Sequence, residues 1–516
     1  MTQPLDLTDI QADVIRASAH GGYLFARYVF FNIRDGEKGR AFVAAVAAEV
    51  TNAVIWEQGA ATPPTVINIA FSYQGLKELG LPRASLNGFP DEFVMGMKAR
   101  RAILGDNGPS HPDNWDPIWQ ANRVTRDKDV HIQVSINGKT PQDVEVRTQW
   151  LLALAGKPES GVFLLTGHRG PNGQQNLLYQ DVHALFENGV PTPKEHFGYT
   201  DGISDPVFEG QPGEPWSAQG RGKQMADGSW APLATGEFLL GHVDEAHEYP
   251  PAPQPQLLAR NGTFMVYRKL HENVHAFDTL LEREAQTYPG GKELLAAKFV
   301  GRWRDNGAPL VSAPDAAAKA EWDQRFATAT PQEQDRMLNG FTYDQDMSGS
   351  RCPFAAHMRR INPRASLQLK AGALPGQFVG NPGAFDTPGA LANRRRIARR
   401  GLPYGDSTDR SSDRGNHGIV IMMLNADINR QFEFVQQQWI NYGNDFRAAN
   451  DKEILLGNHD KEFPSKAVLP VDPESEDVPY FVRNIPRLVE TRGGEYFFIP
   501  SLTALRLIAR GLVDPT

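Results

Sequence analysis

The chain has 516 residues, 40% of them hydrophobic and 22% charged, a composition ordinary for globular proteins and long enough for two or more cores. Its net charge of −8 offers no basic surface, so neither nucleic acid nor an anionic membrane is expected as a partner. The single cysteine, Cys352, excludes an internal disulfide and fits a reducing compartment.

The opening stretch MTQPLDLTDIQADVIRASAH has no basic n-region, no apolar h-region and no twin arginine. It reads as no export signal, and a cytoplasmic location is expected. GGYLFARYVFFNI (21–33) is β-rich, and EKGRAFVAAVAAEV after it is helical. TVINIAFSYQGLKELG (65–80) is a strand running into a helix, VHIQVSING (130–138) a third strand, DVEVRTQWLLALAG (143–156) a helix and GVFLLTGHRG (161–170) a fourth strand. This order suits an α+β sandwich of ferredoxin-like kind. From about 207 to 233 the chain is Gly/Pro-rich, a linker or long loop.

The second half begins with the strand NGTFMVYRKL (261–270) and the helix HENVHAFDTLLEREAQTY. HGIVIMMLNAD (417–427) is a buried strand; its apolar run Ile419 to Leu424 is too short to span a bilayer. INRQFEFVQQQWIN is a helix with Ile428, Phe432, Val435 and Trp439 on one face. Both halves open with a strand and a helix, as one α+β unit used twice. The expected domains are 1–215 and 235–516.

HENVH (271–275) has the H-E-x-x-H spacing of zinc proteases, in which His271 and His275 would grip the metal and Glu272 activate its water. The extended form of that motif fails, with Asp278 and Leu281 at its next positions, although Glu293 could serve as a third ligand. The strand running directly into His271 favours a plain helix start.

Three other stretches are more specific. In HFGYTDGISDP (196–206), Gly198 and Gly202 bracket Asp201; the plain alternative is an Asx turn. In CPFAAHMRRINPR (352–364), His357 follows two alanines that leave room beside its ring, and Arg359, Arg360 and Arg364 suit carboxylates. The alternatives are a core histidine with a surface basic run, and a haem-ligating Cys352 thiolate against a buried small hydrophobe. RRRIARRGLPYG (394–405) crowds five arginines without an acidic partner, as for an anion or a solvated face.

Together these motifs resemble the dye-decolorizing peroxidases, a haem family. Gly198-Tyr199-Thr200-Asp201-Gly202 matches its G-x-x-D-G signature, His357 the iron-ligand position and Arg399 the distal arginine. Weaker likeness runs from LDLTDIQADVI to QFEFVQQQWIN. The resemblance implies a dimeric α+β barrel fold of two ferredoxin-like halves, with haem b in the C-terminal one. It further implies that His357 binds the iron, that Gly202, Ile203 and Ser204 line the haem edge, and that Arg268, Asn362 and Arg364 meet or support the propionates. Asp201 would move the peroxide proton, and Arg399 would stabilise developing negative charge.

The implied activity is reduction of hydrogen peroxide with one-electron oxidation of bulky aromatic reductants such as dyes and phenols. A haem store or sensor is the alternative, a zinc protease the remoter one. The chain departs from the family at Met422 and Met423, where relatives often place Leu and Phe. An acceptor behind His357 is required, with Asp427 and Asp445 as guesses. The oligomer could be a monomer or a homodimer.

Overall fold

A computed structural model describes residues 4–17, 21–56, 61–120, 127–170, 173–213, 215–225, 227–368 and 389–511. The first half runs β1 (Phe25–Ile33), α1 (Gly36–Ala47), β2 (Thr65–Phe71), β3 (Ile132–Gly138), α2 (Pro141–Ala155) and β4 (Val162–Leu164). Local chemistry sets these elements. Aromatic and β-branched residues fill β1, which is buried along nearly its whole length. Thr140 and Asp143 form a capping box that starts α2, with Pro141 in its first turn. The strands pair antiparallel in the order β2-β3-β1-β4, the ferredoxin-like arrangement.

The second half repeats this order. It comprises β5 (Thr263–Glu272), α3 (Val274–Ala285), β6 (Ala398–Tyr404), β7 (Gly418–Asn425), α4 (429–440) and β8 (Val489–Ile499). Its strands run β6-β7-β5-β8, again antiparallel. Phe498 of β8 pairs with Phe71 of β2, which joins both halves in one nine-stranded sheet. Tyr28 and Phe30 of β1 meet Tyr267 of β5 edge to face, with ring centroids 5.8 and 5.4 Å apart. The shared core therefore takes Tyr267 from one face of β5 and leaves Arg268, Leu270 and Glu272 on the other.

Four local expectations change. Strand β4 stops at Leu164, because the chain turns at Gly167 (φ +116°) and His168 bridges Leu177 instead. His271 and Glu272 finish β5, paired with Glu490 and Val489, so the helix begins only at Val274. Helix α4 winds with i→i+5 hydrogen bonds, such as Glu433 N–H to the Ile428 carbonyl at 2.9 Å. Such wide turns cluster at functional sites. The stretch 207–233 is tied down rather than free: Glu209 N–H bonds the Leu233 carbonyl, and Phe208 stacks on Phe238 with centroids 4.8 Å apart. No helix among the described residues is long and apolar enough to cross a membrane.

Candidate active site

The outer face of the second-half sheet forms one wall of a deep cavity. Alternate residues supply it: Leu270 from β5, Ile419, Ile421 and Met423 from β7, and Val489 from β8. Phe432, Val435 and Ile440 of α4 and the short helix His357–Ile361 close the other side. Met422 points the opposite way and packs in the core, so only Met423 of the two methionines borders the cavity.

Asp201 and Arg399 meet at this wall, with Nη1 of the arginine 2.7 Å from Oδ1 of the carboxylate. The loop that carries Asp201 turns through positive φ at Gly198 (+94°), Gly202 (+80°) and Ser204 (+69°). A side chain at either glycine would strain this path. Asp205, further along the loop, accepts Arg399 N–H at 3.1 Å and the Arg400 guanidinium at 2.9 Å, fixing β6 against it. Burial pushes the Asp201 carboxyl up, but the Arg399 charge and the Gly202 N–H outweigh it and hold it below the usual range. Asp201 in turn raises the arginine against its own burial. The pair thus places an ionised base beside a permanent cation. Gly202 borders a second, adjoining pocket that shares Asp201 and Arg399 with the first cavity.

His357 opens its short helix and faces the same cavity. Its Nδ1 lies 3.5 Å from Oε1 of Glu453, a carboxylate with no exposed side-chain surface. Burial raises the Glu453 carboxyl, yet His357 and the N–H groups of Leu455 and Leu456 bring it below the ordinary range. Glu453 therefore occupies the place guessed for Asp427 or Asp445. Asp427 instead caps Arg430, and Asp445 accepts the Trp439 indole N–H at 2.9 Å.

At the far end, three buried arginines border the cavity without a carboxylate partner among the described residues. Arg302 donates to the carbonyls of Gly307 and Leu338 at 2.8 and 2.9 Å and to Ser204 Oγ at 3.3 Å. Arg364 donates to the carbonyls of Asn339 and Phe341, and lies 3.9 Å over the Phe341 ring. Arg396 donates to the Gly222 and Arg221 carbonyls at 3.2 and 3.0 Å. Burial lowers Arg302 and Arg364 to about 10 and Arg396 to about 9, and the Arg364 charge adds to the effect on its two neighbours. Three uncompensated cations in a dry pocket favour an anionic ligand.

Arg268 lines the cavity but is already paired with Asp106 at 2.5 Å and bonded to Thr491, with its Nη1 unbonded. Ile203, Ser204 and Asn362 also border the cavity.

Other expected residues lie elsewhere. Arg359 pairs with Asp346 at 2.8 Å, and Arg360 donates to the carbonyls of Phe354, Trp439, Tyr442 and Asp451. Both are scaffolding and neither reaches the cavity. Cys352 is buried in a separate core, its thiol pushed up to about 11 by burial, which suits neither a thiolate nor a ligand. The HENVH side chains diverge. His271 bonds the carbonyls of His417 and Asp413, His275 that of Arg410, and Glu272 accepts the His196 N–H. Among the described residues, no cluster of His, Cys, Asp or Glu could hold a metal ion.

A profile described as the DyP dimeric alpha+beta barrel domain matches residues 9–171. A dye-decolorizing peroxidase of Mycetinis scorodonius is 27% identical, with 98% of this chain and 88% of that protein aligned. Along nearly its whole length the chain is similar to the dye-decolorizing peroxidases. A multifunctional dye peroxidase of an Amycolatopsis strain is 31% identical over 60% of each chain. Among solved structures, an ancestral D-type dye-decolorizing peroxidase superposes with a TM-score of 0.72 at 26% identity, covering 98% of this chain and 99% of that one. A fungal family member from Auricularia auricula-judae superposes with a TM-score of 0.73 at 22% identity, covering 98% and 100%, a likeness of fold. Family members are haem enzymes.

The family motifs brought His357, Asp201 and Arg399 to notice. They gave no sign of Glu453, Arg302, Arg396 or Asp106. The arginine run did contain Arg396, and its lack of acidic neighbours was the available signal.

Proposed function

We propose that this peroxidase binds haem b through His357 and uses it to reduce hydrogen peroxide while oxidising bulky aromatic donors, dyes or phenols, one electron at a time. The observation that carries the reading is that His357–Glu453 and Asp201–Arg399 face one apolar cavity from opposite walls, with the unpaired arginines at its end. These residues fit the group: an apolar disc with two carboxylates needs an imidazole, greasy walls and cations. When bound, haem supplies the iron centre that takes up the oxidising equivalents of peroxide.

The chain's own residues do the rest. Glu453, 3.5 Å from Nδ1 of His357, favours the Nδ1–H tautomer by its charge and leaves Nε2 as the metal-binding atom. Arg364, Arg302 and Arg396 take the propionates, assisted by Arg268 and Asn362. Gly202, Ile203 and Ser204 form the loop along the haem edge. Asp201 removes the proton from one peroxide oxygen and returns it to the other, which leaves as water. Arg399 stabilises the negative charge that develops as the O–O bond breaks. Leu270, Ile419 and Ile421 exclude water from that proton's path.

Storage or sensing of haem would leave the Asp201–Arg399 pair without a task. The units 1–215 and 235–516 and a cytoplasmic site of action belong to the same proposal; the lone buried thiol supports the latter. The test is a Soret spectrum and pyridine haemochrome assay of purified protein, followed by peroxide-dependent bleaching of an anthraquinone dye. About one haem per chain with turnover is expected. Haem-free protein, or haem-loaded protein inert to every aromatic donor, overturns the reading.

A further inference from the structure

Freed from zinc, the glutamate of HENVH has another neighbour. Glu272 ends β5, is buried, and lines the cavity together with Glu195. The two carboxyl groups lie close enough to act on each other's protonation. Glu195 also accepts the N–H groups of Phe197 and Tyr199 at 2.8 and 2.7 Å, and Glu272 that of His196 at 3.2 Å. All three donors sit on the turn that leads into Asp201.

No cation pairs with either carboxyl among the described residues. Arg399 is engaged by Asp201, Arg304 by Glu293 and Arg410 by Asp278. The other titratable groups around the pair are His196, Tyr199 and Asp201 on its own loop, Tyr404 at the end of β6, and Asp413 and His417 on the connection from β6 to β7. Asp278 lies on α3, and Glu490 and Arg492 on β8. Two adjacent carboxylates in a dry wall repel, and one proton held between them removes that repulsion.

We infer that Glu195 and Glu272 are a carboxylic acid–carboxylate pair that stores one proton on the cavity wall and delivers it to the oxygen that becomes the second water. This rests on the peroxidase reading above. The full reduction is H2O2 + 2 e− + 2 H+ → 2 H2O. The O–O bond breaks and the first water forms with the proton that Asp201 carries across, without any proton from outside. The second oxygen needs two electrons, taken singly from aromatic donors, and two protons brought into a closed cavity. The pair supplies one of these and is reloaded by the proton that the first phenolic donor loses on oxidation; the second donor's own proton is the other. Burial pushes the Glu195 carboxyl up to about 7 and Glu272 well above its ordinary value, so the proton is present at neutral pH.

The test uses Glu272→Gln and Glu195→Gln in the full chain, each of which keeps a carbonyl acceptor for the loop N–H groups. Infrared difference spectra across pH should show a protonated-carboxyl C=O band in the wild type that both variants lose. A missing wild-type band, or one that survives in both variants, overturns the shared proton whether or not haem is present. A haem-free preparation would count against the peroxidase reading and leave the infrared result to judge the pair. With haem loaded, turnover at saturating peroxide should fall about tenfold or more in Glu272→Gln. kcat/KM for peroxide should fall far less, and the neutral limb of the kcat–pH profile should disappear. Equal losses in both parameters, or an unchanged profile, overturn delivery in the reductive half. If Glu195→Gln does not match wild-type circular dichroism, Glu272→Gln decides alone.

Discussion

Because Asp201 and Arg399 form an ion pair at 2.7 Å, their variants cannot act independently. Opposite charges about 4 Å apart interact by about 4 kcal/mol at an effective dielectric near 20. About a third of each side chain is open to the cavity, 34% for Asp201 and 32% for Arg399, and screening there reduces the attraction. A coupling of about 1–3 kcal/mol remains, or roughly 5- to 150-fold in rate. A double-mutant cycle of Asp201→Asn and Arg399→Leu should therefore leave the double variant faster than the product of the single losses by about that factor. The pH dependence has a definite sign. Arg399 holds the Asp201 carboxyl below its usual range, so in the wild type the base fails only at low pH. In Arg399→Leu, burial dominates, the carboxyl rises, and the acid limb moves to higher pH. In Asp201→Asn that limb disappears. The assay is the stopped-flow Soret change against peroxide concentration and pH, with each variant shown to be haem-loaded. Additive losses within about 0.5 kcal/mol, together with an unmoved acid limb in Arg399→Leu, would refute the pairing as a functional unit.

Three further outcomes follow from the same geometry. Replacing His357 by Ala should strip haem or change its coordination, read from the Soret band; an unchanged spectrum would sink the ligand assignment. Glu453→Gln removes the negative charge behind that histidine, so the iron reduction potential should rise in spectroelectrochemistry and haem affinity should fall about 10- to 100-fold. Buried His196 and His459 are lowered to about 4, below the unfolded value near 6.5. Between those values the unfolded chain binds more protons, so stability is full above about pH 6.5 and is lost as pH falls toward 4, on the order of 3 kcal/mol per histidine. Urea midpoints at pH 7.5 and 5 measure this, and a His459→Gln variant should flatten the slope.

The β-α-β-β-α-β order of the first half was legible because period-2 and period-3.6 patterns are local properties of the chain. In the second half β5, α3, β7 and α4 were legible in the same way, whereas β6 read as an arginine run and β8 carried no reading of its own. His357, Asp201 and Arg399 were legible because each sits in a short motif whose glycines, alanines or proline shape the backbone around it. HENVH misled for the converse reason. Its spacing matches a helix, but sheet pairing extends β5 through Glu272, and strand geometry turns His271 and Glu272 to opposite faces. Glu453 and Arg302 lie in unremarkable local sequence, and Arg396 in a run whose five arginines look alike. They meet the site only because the second-half sheet and the segments packed on it bring distant stretches to one cavity. Burial then changes what these residues are: a carboxylate becomes a partner for imidazole, and three arginines become an uncompensated charge awaiting an anion. Desolvation and the identity of the nearest opposite charge are properties of the assembled fold, which no spacing along the chain encodes.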